Sequence, residues 1–101
     1  MTAHLIVMYP QPRDTKTFDR AYRQEHLPYA GPRLNGATSI VSKRVSGPAP
    51  YYAMSDIQFP SIEALQKTAS SNGAKEALAH AASISTGGAP VVLVVTDDLA
   101  S

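Results

Sequence analysis

The stretch HLIVMYPQPRDTKTFDRAYRQEHLP, residues 4–28, changes its hydrophobic spacing partway along. Its opening apolar run ends at Pro10 and predicts a short strand. From Thr15 the spacing becomes helical, because at about 100° per residue four side chains fall within about 60° of arc. These four are Phe18, Tyr22, Glu25 and Tyr29. The stretch therefore predicts a strand, a proline-rich loop and a helix with an aromatic face.

The rest of the chain continues this alternation of strands and helices. Two strands are predicted at residues 37–46 and 51–59, a helix begins at Ser61, and a second helical piece follows Asn72-Gly73. A closing strand at residues 90–95 is a nearly continuous apolar run, which indicates burial on both faces. The order β-α-β-β-α-β predicts an α+β protein with a ferredoxin-like sandwich.

Two helices cover only one face of a four-stranded sheet, so the other face needs a second cover. On the third strand, apolar or aromatic residues occur in both alternation sets, with Tyr52 and Met54 opposite Tyr51 and Ile57. Another copy of the chain is the simplest cover for such a face. We therefore expect a homodimer packed sheet to sheet, which forms a dimeric α/β barrel.

The first helix is expected to be irregular near its end. Leu27-Pro28 should interrupt it, because proline lacks the backbone donor and disfavours helical angles at the preceding residue. Gly31-Pro32 should end any helical continuation soon afterwards. Within the helix, Asp19 and Arg23 have the i, i+4 spacing of a favourable ion pair.

Length and composition argue against several classes of protein. With 101 residues, 44% of them hydrophobic and 17% charged, the chain is expected to form one globular domain, residues 1–101. A net charge of +1 without a basic stripe argues against nucleic-acid binding. The chain has no cysteine, and no stretch approaches the roughly 18 apolar residues of a membrane span. The first residues lack the basic region and cleavage site of a signal peptide, so we expect a cytoplasmic protein without membrane association.

Several short motifs are spaced along essentially the whole chain. They are YP at the end of the first strand, FD and then Y and HLP along the first helix, SIEAL at the second helix and GGAPVVLV at the closing strand. Together they resemble the EthD family of small dimeric α/β-barrel proteins. The positions that match the family pattern are Tyr9, Phe18, Asp19, Tyr22, His26 and Pro28.

The resemblance implies a class of chemistry as well as a fold. EthD-type proteins are associated with oxidative ether degradation beside a cytochrome P450 system. Related barrels include cofactor-free monooxygenases, lactone isomerases and polyketide cyclases. The resemblance therefore implies a small hydrophobic, oxygenated or aromatic metabolite as substrate and no bound cofactor, with a partner oxidase as a further candidate partner. Some related barrels bind haem through a helical histidine, but no haem is predicted at His80.

His26 is the predicted proton-transfer residue, because a histidine is readily tuned to act as acid or base near neutral pH. Tyr9, where the first strand meets the proline-rich loop, is the second predicted catalytic residue and would orient or polarise a substrate oxygen. The alternative for His26 is a structural histidine that binds a carbonyl freed near Pro28. In either role its ring nitrogens need a polar partner, and we expect a tyrosine.

The predicted ligand-binding residues are Phe18, Tyr22, Tyr52 and Asp56. Tyr22 has the alternative of simple core packing, and Asp56 has that of a solvated strand position. Glu25 lies within the aromatic arc but is expected to be exposed. No metal site is predicted, because the three histidines, His4, His26 and His80, lack the spacing of metal ligands.

Three functions remain open at the level of sequence. The first is a cofactor-free enzyme that oxidises, isomerises or cyclises a small hydrophobic metabolite by His26-based proton transfer. The second is a protein that holds such a compound for a partner oxidase. The third is a dimeric interaction module without small-molecule chemistry.

Overall fold

Four antiparallel strands form a single sheet in the order β2-β3-β1-β4. The structure is a computed structural model that describes residues 2–96. The strands are β1 (Ala3–Pro10), β2 (Ser39–Arg44), β3 (Tyr51–Phe59) and β4 (Val91–Val95). The helices are α1 (Thr15–Ala21), a π-helical turn (Tyr22–His26), α2 (Leu27–Ala30), a 3₁₀ turn (Gly31–Arg33), α3 (Ile62–Ala69) and α4 (Asn72–Ile84). The predicted ferredoxin-like α+β architecture is confirmed.

The helices pack on one face of the sheet, where alternate residues of the central strands point. On β1 these residues are Ala3, Leu5, Val7 and Tyr9, and all four are buried. The antiparallel register places Ile57 and Ser55 of β3 beside Leu5 and Val7. The core therefore lies between β1, β3 and the helical layer. No helix within residues 2–96 is long and apolar enough to cross a membrane.

The first helix begins at Asp14, whose carboxylate accepts hydrogen bonds from the backbone N–H groups of Lys16 (2.9 Å) and Thr17 (3.2 Å). The side chain thereby satisfies two of the amides that a helix start leaves without partners. Ser61 and Ser71 cap α3 and α4 in the same way. The break between α3 and α4 therefore falls just before Asn72, not at Asn72-Gly73 as predicted.

The prediction that Leu27-Pro28 interrupts the helix is wrong. Helical backbone continues through Pro28 into α2, and the irregularity lies one turn earlier, in the π turn. There the N–H of Leu27 bonds to the carbonyl of Tyr22, five residues back. A widened turn leaves room ahead of a proline ring that would otherwise press on the preceding turn. Gly31 then begins the 3₁₀ turn that ends the helical segment, as expected.

The widened turn also decides which side chains face the sheet. Tyr22 and His26 are buried, whereas Glu25 is exposed, as predicted. In a regular helix, Glu25 would lie within the same arc as Tyr22. The extra residue per turn rotates Glu25 away and brings His26 round in its place.

The prediction that the closing strand is buried on both faces is wrong for the single chain. Residues Val92, Leu93, Val94 and Val95 are between 42% and 52% exposed. The reason is position, because β4 is an edge strand that pairs only with β1 and lies beyond the helical layer. Because β4 is apolar, it leaves an exposed hydrophobic edge strand, and proteins normally cover such an edge.

A bulge in β3 overturns the predicted orientation of Tyr52. Tyr9 pairs with Ala53 and Pro10 pairs with Tyr51, so Tyr52 is an extra residue in the register. A bulge turns its extra residue out of the regular alternation. Contrary to the prediction, Tyr52 therefore does not lie opposite Ile57 but packs its ring edge-on against Phe18, at 5.7 Å between centroids, on the same helical side.

Candidate functional site

A cleft of about 330 Å³ opens between the first helix and the β2–β3 edge of the sheet. Its aromatic wall consists of Phe18 and Tyr22 from the helical segment and Tyr52 from the bulge. Phe18 and Tyr22 stack at 5.9 Å with an interplanar angle of 17°. The predicted ligand-binding residues Phe18, Tyr22 and Tyr52 thus lie together around one cleft.

Tyr22 joins this wall to a polar group of β2 and β3. Its hydroxyl lies 2.5 Å from the hydroxyl of Ser42 and 2.5 Å from that of Ser55. Ser42 and Ser55 are cross-strand neighbours, so both hydroxyls reach the same point. Tyr22 is therefore more than a packing residue, because its phenol is held in place at the cleft wall by two serines.

His26 and Tyr9 lie behind the cleft and not in it. Their side chains meet with the Tyr9 hydroxyl 3.4 Å from Nε2 of His26. Tyr9 is only 1% exposed and His26 only 6% exposed, and neither lines the cleft. The expected hydrogen bond between His26 and a tyrosine is present, with Tyr9 as the partner. The two predicted catalytic residues are together, but Tyr22 lies between them and the cleft.

The other nitrogen of the His26 ring bonds to a second histidine, His80 of α4. The two Nδ1 atoms are 3.0 Å apart, and the rings are nearly parallel, at 11°. Two neutral imidazoles can share such a bond only when one Nδ1 carries a proton and the other accepts it. If His26 donates to His80, its Nε2 is free to accept from Tyr9. If His80 donates, His26 Nε2 carries the proton towards Tyr9.

A stack of rings holds His80 against His26. Tyr29 lies on the far side of His80, at 4.8 Å between centroids, and the guanidinium of Arg33 covers Tyr29 at 3.6 Å. Cation–π and ring stacking contacts of this kind each stabilise by about 0.5–1.5 kcal/mol. The stack fixes the ring of His80 and with it the direction of its Nδ1.

Burial makes both members of the His26–Tyr9 pair neutral at pH 7. Desolvation, and then the neighbouring His80, lower the pKa of His26 to about 4. Burial, and then Tyr22, raise the pKa of Tyr9, while a hydrogen bond with Ser55 opposes the rise. Tyr9 therefore keeps its proton, and His26 has one protonated and one unprotonated nitrogen.

Ser55 links the buried pair to the cleft, because its hydroxyl bonds to that of Tyr22 and lies close enough to that of Tyr9 to oppose the rise in the Tyr9 pKa. The result is a continuous series of proton-carrying side chains that we call the polar path. Its members, in spatial order, are His80, His26, Tyr9, Ser55 and Tyr22. The polar path runs from α4, through the core, to the wall of the cleft.

Asp19 lies at the mouth of the cleft. Contrary to the prediction, it does not form an ion pair with Arg23. Its carboxylate accepts hydrogen bonds from the Tyr52 hydroxyl, at 2.9 and 3.1 Å, and from Arg44 at 3.0 Å. Burial, and then Asp19, raise the pKa of Tyr52. The carboxylate thus fixes the tyrosine of the bulge and ties the helix to β2.

Asp56 lies on the opposite face of the sheet, away from this cleft. Its carboxylate is 2.7 Å from Nδ1 of His4, and the two side chains are 29% and 27% exposed. The register confirms the separation, since Asp56 pairs with Ile6, whose neighbours Leu5 and Val7 face the helices. A ligand role for Asp56 stays a prediction and concerns the open face of the sheet.

Several residues of the site were not predicted from the sequence: Ser42, Ser55, Arg44 and His80. Of these, only Ser55 could have been found from the sequence, because it is a polar residue in the otherwise apolar alternation of β3 beside Ile57. No sequence pattern indicates the contact of His80 with His26, because 54 residues separate the two. Within residues 2–96, no group of three or more His, Cys, Asp or Glu side chains could hold a metal ion.

Comparison with known proteins identifies the fold. No protein-family model matches the chain, and no curated protein matches it by sequence. Among solved structures, the chain is similar to an ethyl tert-butyl ether degradation (EthD) family protein from Bacillus halodurans, with a TM-score of 0.84 and 22% identity over 97% of this chain and 100% of that one.

Two further solved structures have the same fold. An EthD-like protein from Ralstonia eutropha has a TM-score of 0.70 and 24% identity, covering 94% of this chain and 90% of that one. A dimeric ferredoxin-like protein of unknown function from Jannaschia sp. has a TM-score of 0.66 and 16% identity, covering 96% and 100%. The resemblance seen in the sequence motifs is therefore confirmed for the fold, which this chain shares with the two EthD-type structures.

Proposed function

We propose that this chain is a cofactor-free enzyme that moves a proton to and from a small, partly aromatic molecule held in the cleft. The observation that carries the proposal is the polar path, which connects the buried His26–Tyr9 pair to the Tyr22 hydroxyl at the cleft wall. Tyr22 is the residue that would contact the substrate. His26 and Tyr9 hold and supply the proton behind it.

The chemistry follows from the protonation states. When a substrate oxygen beside Tyr22 gains negative charge, the Tyr22 hydroxyl donates its proton to that oxygen. Tyr22 regains a proton from Ser55, Ser55 from Tyr9, and Tyr9 from Nε2 of His26. At the same time Nδ1 of His26 takes the proton of His80 Nδ1, and the other ring nitrogen of the partly exposed His80 takes a proton from water, so no ring is left charged. A histidine with a pKa of about 4 holds an added proton weakly, so His26 passes protons on and does not keep them.

The same steps in reverse remove a proton from a substrate hydroxyl. Proton transfer at the oxygen by Tyr22, with water in the cleft removing or returning the proton at the neighbouring carbon, is sufficient for isomerisation or cyclisation by way of an enol, since no electrons leave the substrate. Oxidative degradation would additionally take dioxygen or another oxidant as co-substrate. Enol chemistry is therefore the reaction class that the residues support most directly.

The experiment uses 2-tetralone, a two-ring ketone with an enolisable C–H group next to its carbonyl. In deuterated buffer, enolisation replaces that hydrogen with deuterium, which proton NMR measures directly. The protein should accelerate the exchange, and Tyr22→Phe should slow it while 2-tetralone still binds. Arg20→Gln, an exposed change on the same helix, is the matched control.

The alternatives give different results. Binding of 2-tetralone without accelerated exchange would overturn the enzymatic proposal and favour a protein that holds its ligand for a partner oxidase. Absence of binding by 2-tetralone and related aromatic ketones, with a correctly folded protein, would favour an interaction module.

We further propose that two copies of the chain pack sheet to sheet. The open face and edge of the sheet expose Val41, Leu93 and Val95 by 44% to 47%, and the similar Jannaschia protein is described as dimeric. Light scattering at micromolar concentration should give the mass of a dimer. Leu93→Arg should give a monomer, whereas Gln66→Arg on exposed α3 should not; a monomeric wild-type protein would overturn the proposal.

A further inference from the structure

The cleft is lined by three cationic residues, Arg23, Lys43 and Arg44, and by one anionic residue, Asp19, whose carboxylate already has partners. Asp19 accepts hydrogen bonds from Tyr52 and Arg44, which accounts for its charge. Arg23 lines the same cleft but forms no ion pair with any residue of the described range 2–96. One guanidinium at the cleft is therefore without a compensating carboxylate.

Arg23 lies in the π turn, directly after Tyr22, and its side chain is exposed. Its charge reaches the Tyr52 hydroxyl across the cleft, where it acts with Arg44 to oppose the rise in the pKa of Tyr52. The guanidinium thus belongs to the aromatic side of the cleft. Arg20 lies one turn earlier and is exposed, and it does not line the cleft.

From this arrangement we propose that the ligand of the cleft is an aromatic carboxylate, whose carboxylate binds Arg23 and whose ring packs on Phe18, Tyr22 and Tyr52. The proposal rests on the function proposed above and narrows its substrate class. A guanidinium presents two parallel N–H donors that match the two oxygens of a carboxylate. Tyrosine and phenylalanine rings supply the flat apolar surface that an aromatic ring prefers.

The size of the cleft limits the ring system. A volume of about 330 Å³ is near the lower end of known ligand pockets, which span about 300–1,000 Å³. One or two fused rings with a single acidic group therefore fit best. The probe pair that follows is 2-naphthoate and its neutral isostere 2-naphthamide, which differ in charge but hardly in shape.

The test is a comparison of affinities by titration calorimetry or NMR at low ionic strength. The wild-type protein should bind 2-naphthoate roughly tenfold more tightly than 2-naphthamide, as expected for about 1.4 kcal/mol from a partly exposed charged hydrogen bond. Arg23→Gln should abolish this preference by weakening naphthoate alone. The preference should also shrink as salt is raised, because screening weakens a partly exposed ion pair.

Matched controls separate this proposal from the one it rests on. Arg20→Gln removes the same charge from the same helix and should keep the preference, and Arg23→Lys should keep part of it. Equal affinities for the two probes in the wild-type protein, or equal losses in Arg23→Gln and Arg20→Gln, would overturn the carboxylate proposal. If 2-tetralone exchange persists in that case, the proposed enzymatic function still stands, whereas failure of all three compounds to bind would overturn both.

Discussion

Two histidines lie on the two faces of one sheet, and their surroundings are opposite in kind. His26 is 6% exposed, bonds to a tyrosine and to another histidine, and has no carboxylate partner within residues 2–96. His4 has a side chain 27% exposed and bonds to the carboxylate of Asp56 at 2.7 Å. One ring is embedded in a polar path of neutral groups, while the other forms a half-exposed ion pair when protonated. The difference separates the ring for which we propose a role in proton transfer from a ring that bonds to a carboxylate near the surface.

This contrast is tested most directly by replacing each histidine in turn and measuring 2-tetralone exchange. His26→Phe keeps ring bulk but removes both nitrogens, so 2-tetralone exchange should fall by at least about 100-fold, the usual contribution of a general acid or base. His4→Phe should leave exchange within about twofold, because His4 faces away from the cleft. Equal losses in the two variants would remove the distinction between the two faces.

A second difference should appear in the dependence of stability on pH. The pKa of His26 is lowered to about 4 in the folded protein, whereas an unfolded histidine titrates near 6.5. Between these values the unfolded chain binds more protons, so acid favours unfolding. The free energy of unfolding should therefore fall as pH drops from about 6.5 to 4, by at most about 3 kcal/mol, and stop falling below that.

Urea unfolding at a series of pH values measures this effect. His26→Phe should flatten the curve between pH 4 and 6.5, because the group that titrates is gone. A curve unchanged by His26→Phe would mean that the ring is not protonated on unfolding, contrary to its buried environment.

Substituting His80 changes the surroundings of His26 without changing His26 itself. His80→Phe preserves the stack on Tyr29 but removes the Nδ1 partner and the charge that helps lower the pKa of His26. The pKa of His26, followed by the NMR signals of its ring, should rise towards its ordinary value but stay below it, since burial remains. Exchange should fall by roughly tenfold, because the protonated nitrogen is no longer fixed by a partner. No change in the pKa would show that His80 does not influence His26.

The smallest effect is expected on the open face. Asp56→Asn keeps the shape of the side chain and removes the negative charge next to Nδ1 of His4. Ion pairs of this exposure contribute about 0–1 kcal/mol, so the thermal midpoint should shift by no more than about 8 °C for a domain of this size. A larger shift that depends on protein concentration would indicate that the pair lies inside the sheet-to-sheet dimer.

The fold could be predicted because its signals are local. Strand and helix periods, proline ends and serine caps each depend on a few neighbouring residues, and their order determines the topology. The burial of β4 was predicted wrongly because edge position depends on where the helices stop, which no local pattern contains. The orientation of Tyr52 was predicted wrongly because a one-residue bulge reverses the alternation without leaving a mark in the sequence.

The site was predicted in part for the same reason. Phe18, Tyr22 and His26 share one helical segment, so their spacing could be read directly. The contacts of His26 with Tyr9 and His80, and of Asp19 with Arg44, join different elements and depend on packing. The local i, i+4 rule favoured Arg23 as the partner of Asp19, but the approach of β2 supplied Arg44 instead.

The π turn has a consequence for how this helix tolerates change in length. It holds one residue more than a regular turn, so every later side chain is out of phase with Phe18 by about 100° compared with an unbroken helix. Deleting the exposed Gln24 would remove the extra residue and make the turn regular, while His26 and Tyr29 would keep their direction towards Tyr9 and His80. The aromatic wall at Phe18 would keep its place. The π turn thus accommodates one extra residue without changing the angular offset between the part of the helix that faces the cleft and the part that faces the buried histidine pair.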